Sequence, residues 1–145
     1  MHCPIIEVES ASPTVAKRAP MDANDIFAAM NGYADYVDRA GSKWSLMELY
    51  DSLMDERLKD VISPIDKTRG LFRVGAADRL WQQKRKKLAK KLGDAAHDAV
   101  DICTLIEPRG GICICMAGQV KSLENWLLTT DSGIYRMIQV FDYHC

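Results

Sequence analysis

Ile26, Met30, Tyr33 and Val37 recur at i, i+4, i+7 and i+11, which lines one side of a helix with apolar groups. That stripe predicts a first helix beginning near Asp22 or Asn24, with Asp22 and Asp25 at the positive end of its dipole and Gly41 as its left-handed stop. A second helix is expected from Ser45. Ser45 and Glu48 have the spacing of a capping box, and Trp44 can staple onto Leu49. Leu46, Leu49, Tyr50, Leu53, Leu58 and Val61 supply its buried side. Ser63-Pro64 ends it, because the residue before a proline is driven out of helical geometry. Together the two helices read as an antiparallel hairpin.

A polar loop, IDKTRG at 65–70, then leads to a short strand candidate, LFRVG. A helix is expected from about residue 76 to residue 92, broken at Gly93. A further helical piece, 94–106, carries Ala95, Ala99, Ile102, Cys103 and Ile106 on one face. Beyond the turn at 107–111 the pattern changes. Ile112 to Met116 is a strand candidate, 120–128 a short amphipathic helix, Asp131-Ser132-Gly133 a turn, and 134–143 a second strand. The expected fold is therefore α+β, with a helical N-terminal two thirds and a small C-terminal sheet. Residues 1–20 read as a flexible tail, with Pro4 to Glu9 able at most to add an edge strand, and 21–145 read as one α+β domain.

Composition narrows the class. A chain of 145 residues with 48% hydrophobic and 27% charged residues is that of an ordinary globular domain. No apolar run approaches the roughly 20 residues needed to span a bilayer. The first ten residues have no basic stretch leading into an apolar core, so no secretory signal is expected. The expected location is intracellular, cytoplasmic or nuclear, with no membrane partner. Five cysteines at irregular spacing favour reduced thiols.

Two of those cysteines raise a chemical question. In a strand Ile112, Ile114 and Met116 share one face while Cys113 and Cys115 share the other, so the reading is a buried strand with both faces apolar. The alternative is a metal or redox site in which His97 joins Cys113 and Cys115. Asp94, His97, Asp98 and Asp101 line one helical side and read as a solvated face. Phosphate-loop, dinucleotide, zinc-protease and serine-elbow motifs are absent from the chain, no cofactor is expected, and a Cys/His enzyme is the weakest of the readings.

Charge adds the strongest signal. The formal net charge is only -1, but between Met21 and Ile62 stand nine acidic and four basic residues. Arg79, Lys84, Arg85, Lys86, Lys87, Lys90 and Lys91 crowd thirteen positions that contain no acid. Leu80, Trp81, Leu88 and Leu92 form a narrow apolar seam on that helix, leaving the cations on the rest of its circumference. Phosphates would relieve their mutual repulsion, and Trp81, Gln82 and Gln83 suit stacking or polar contact with bases. The expected function is a small non-enzymatic nucleic-acid-binding or regulatory protein. The alternative is an interaction module, an inhibitor or adaptor, that meets an acidic protein surface through the same helix. Pairing of the acidic hairpin with the basic helix of a second copy would give a homo-oligomer.

Overall fold

Gly133–His144 forms the longest strand, and its two apolar sides allow a sheet to be covered on both faces. The computed structural model describes residues 2–41, 43–55, 58–75, 80, 82–83, 86–87, 90 and 111–144. In chain order the elements are β1 (His2–Ser10), α1 (Ala23–Ala29), β2 (Tyr36–Arg39), α2 (Leu46–Leu53), β3 (Ile62–Asp66), β4 (Leu71–Val74), β5 (Cys113–Met116), β6 (Gln119–Ser122), α3 (Leu123–Thr129) and β7 (Gly133–His144). The seven-stranded sheet runs β3-β4-β7-β1-β5-β6, and β2 shares an edge of β7 with β4. β1 lies parallel to β5, while the remaining ladders are antiparallel.

The β1–β7 ladder contains a bulge. Glu7 faces Gln139 and Val8 faces Met137, so Ile138 is the extra residue. Side chains of β7 change parity there. Tyr135, Met137 and Val140 enter one core, whereas Phe141 and Tyr143 enter the other.

The larger core unites Ile6, Val8 and Ile114 of the sheet with Leu49, Tyr50 and Leu53 of α2 and Trp126 and Leu127 of α3. Tyr50 also ties α2 to the β3–β4 hairpin, because its hydroxyl donates to Leu71 O (2.6 Å) and accepts from Ile65 N (3.1 Å). On the opposite face, Cys3, Ile5, Cys115, Phe141 and Tyr143 pack against Ile26 of α1 and Met30, which caps that helix. Among the described residues no helix is long and apolar enough to cross a membrane.

The α+β class holds, but the helical N-terminal two thirds do not. Strand accounts for 38% of the described residues and helix for 26%. The first helix stops at Met30 because Asn31 and Gly32 both take positive φ, 47° and 85°, a left-handed pair that a helix cannot continue through. Tyr33, from the expected stripe, is 79% exposed, and Val37 lies in β2. No helical hairpin forms, since α1 and α2 cover opposite faces of the sheet. The second helix ends at Met54, and Pro64 stands inside β3. That strand is at the end of the sheet, where a residue lacking an N–H removes no necessary ladder bond.

At the amino terminus, His2–Ser10 is neither tail nor edge. It pairs with β7 on one side and β5 on the other. β5 meets only Ile5 to Glu7, so Pro4 precedes that ladder. Several local expectations do coincide with the structure. Ser45 and Glu48 make the reciprocal capping box, β5 carries the Ile/Cys alternation, and of the helix expected at 120–128 the part from Leu123 is helical, while Val120 to Ser122 belong to β6.

Candidate functional site

Of the basic segment, Leu80, Gln82, Gln83, Lys86, Lys87 and Lys90 are described, and all six are helical. Leu80 is 6% exposed and belongs to the larger core. Gln82, Gln83, Lys86, Lys87 and Lys90 are all exposed. Lys90 is four residues from Lys86 and three from Lys87, so the three ammonium groups belong to one helical strip. Arg79, Trp81, Lys84, Arg85, Leu88, Lys91 and Leu92 lie outside the described residues, as does the expected helix at 94–106 with Asp94, His97, Asp98 and Asp101.

Within the acidic segment, Asp22, Asp25, Asp35, Glu48 and Asp51 are engaged in bonds inside the chain. Asp22 and Asp25 cap α1 reciprocally, and Glu48 is occupied at the start of α2. Asp51 accepts from Lys67 (2.5 Å), and Asp35 lies 3.2 Å from His144. With α1 and α2 on opposite faces, the acidic hairpin proposed to meet a second copy's basic helix is absent.

Cys113 and Cys115 sit on β5, turned toward the α1 face. The Cys115 thiol is fully buried, and burial, with the Glu7 carboxylate nearby, pushes it up to about 11. It is protonated at neutral pH and is therefore a poor nucleophile or metal ligand. It lies 3.6 Å from the Met21 sulfur, while Cys113 Sγ is 3.7 Å from the Tyr143 hydroxyl. Burial raises Tyr143 as well, reinforced by the Cys113 and Cys3 thiols beside it. Among the described residues no three His, Cys, Asp or Glu side chains converge as a metal-binding group.

A polar cluster that the sequence did not reveal joins the chain's two ends. Asp142 has a side chain only 6% exposed, and it accepts from Trp44 Nε1 (3.3 Å) and Lys43 Nζ (3.3 Å) and contacts His2 Nδ1 (2.8 Å). Burial alone would raise this carboxyl. The Trp44, His2 and Lys43 hydrogen bonds outweigh it, and the group is held below its ordinary value of 3.8. Tyr36 stacks on His144 with ring centroids 5.8 Å apart, and His2 meets both rings edge-on. The arrangement clasps β1, β2 and the β2–α2 loop onto β7. The sequence pointed to Trp44 as a staple for Leu49, whereas its indole N–H bonds a partner 98 residues away, beyond any local pattern.

No known protein family, curated protein sequence or solved structure matches the chain.

Proposed function

We propose that this protein is a non-enzymatic nucleic-acid-binding protein whose basic helix tracks a phosphate backbone. The observation that carries the reading is the pairing of a buried Leu80 with exposed Lys86, Lys87 and Lys90 on the same helical segment. None of these three lysines forms an ion pair with a described residue. A row of like charges without a counter-charge among the described residues favours an external polyanion, because each phosphate contact releases condensed counterions from the nucleic acid. The exposed Gln82 and Gln83 add donors and acceptors on the same segment for sugar or base edges. The engagement of Asp22, Asp25, Asp35, Glu48 and Asp51 in local bonds supports an external anion over self-association.

The test is binding of single-stranded RNA and duplex DNA across a salt series. The wild type is expected to lose about 0.9 log unit in K per log unit of salt for each duplex phosphate neutralised. Replacing Lys86, Lys87 and Lys90 together with Ala is expected to flatten that slope by about 2 to 3 units without altering the fold. Absence of salt-sensitive binding at low ionic strength overturns the proposal and leaves an acidic protein surface as the partner to pursue.

A further inference from the structure

A second candidate site lies where the segment after β1 crosses back over the sheet. It encloses about 430 Å³, within the usual 300–1,000 Å³ of small-molecule sites. Val8, Val15, Ala19, Met21, Met116 and Ile138 give it a mainly apolar wall. Two features of the fold build that wall. The β7 bulge at Ile138 breaks strict alternation at the site's edge, and the tight β5–β6 turn, with Ala117 and Gly118 at φ 53° and 80°, closes another side.

The chemistry of the site comes from Glu7. This residue is 6% exposed, lines the cavity and sits on a central strand. Its carboxylate accepts from Met21 N (3.1 and 3.3 Å) and from Gln139 Nε2 (2.6 Å), and the same Gln139 amide donates to Met21 O (2.7 Å). These donors are neutral, and Glu7 has no ion-pair partner among the described residues. The neighbouring Glu9 is matched by Arg136 at 3.6 Å, while Arg18 stands exposed on the covering segment. A carboxylate can accept about four hydrogen bonds, so this one retains capacity for a further donor. A buried anion fixed by neutral groups is best completed by a cation. Two thioethers in the wall, Met21 and Met116, suit an aromatic ring.

We propose that this cavity binds a small aromatic primary amine, with the ammonium on Glu7 and the ring between Met21 and Met116. Arg18 at the covering segment supplies the competing possibility, an anionic anchor, and the choice of probes separates the two. The full chain would be titrated with phenethylamine, 2-phenylethanol and 3-phenylpropionate, following the methyl resonances of Val8, Met21, Met116 and Ile138. Phenethylamine is expected to bind about tenfold more tightly than the alcohol, as a charge-assisted hydrogen bond gives. Glu7→Gln is expected to erase that preference while retaining weak binding of the alcohol. Should Glu7→Gln fail to fold, Ala16→Trp, at an exposed position lining the site, provides the second variant and is expected to exclude all three probes. Equal binding of amine and alcohol, tighter binding of the carboxylate, or no methyl shifts with any probe overturns the proposal.

Discussion

The two faces of the sheet are built from the same strands but do different things. Toward α2 and α3, the core is apolar and aromatic: Phe72, Trp126 and Tyr135 lie with ring centroids 5.1 to 6.2 Å apart, surrounded by Ile6, Val8, Leu53 and Ile114. Toward α1, the same strands present Cys3, Cys115, Tyr143 and, at the border, Glu7. The first face draws on area removed from water and close packing, which is tolerant in direction. The second contains groups that must each find a specific partner, and the cavity opens at the border between the two, lined by Val8 and Met116 from the larger core and Met21 from the smaller. Stability and chemistry are thus divided across one sheet, with β1 common to both.

Removing β1 is the most severe test of that division. Deletion of residues 1–10 takes Ile6 and Val8 from one core and Cys3 and Ile5 from the other. It also splits β7 from β5. The expected outcome is loss of cooperative unfolding, read by circular dichroism on heating. A truncated chain that melts like the full one would show that the two cores do not depend on β1.

The next test compares the faces directly. Phe72 and Cys115 are both 0% exposed. Phe72→Ala is expected to cost about 3–5 kcal/mol in urea unfolding. Cys115→Ala should cost only about 1–2 kcal/mol, because the thiol behaves as a small apolar group. Equal costs would abolish the distinction between a packing face and a chemical one.

The smallest effect is a pH dependence at Asp142. Because its folded value lies below 3.8, its stabilisation is fully present above that pH and is lost as pH falls through the lower folded value. The difference in urea midpoint between wild type and Asp142→Asn is therefore expected to be constant near neutrality and to close below about pH 4. A gap that widens in acid would show that Trp44, His2 and Lys43 do not favour the ionised form.

What could be read from the chain was local. Ser45 and Glu48 satisfy backbone donors within one turn, and Ile112 to Met116 alternate, so each pattern carries its own physics whatever surrounds it. Asn31-Gly32 was also a readable stop, but the longer apolar stripe through Tyr33 and Val37 concealed it. Tertiary pairing decided the rest. Tyr36–Arg39 becomes a strand because β7 offers Phe141–His144 as a partner, and in a four-residue segment that gain overrides a weak helical period. His2–Ser10 is central because its partners begin more than a hundred residues later, and Asp142 gathers His2, Lys43 and Trp44 for the same reason. Such contacts obey no sequence spacing, since they exist only after the intervening chain has closed its loops and brought the strand edges together.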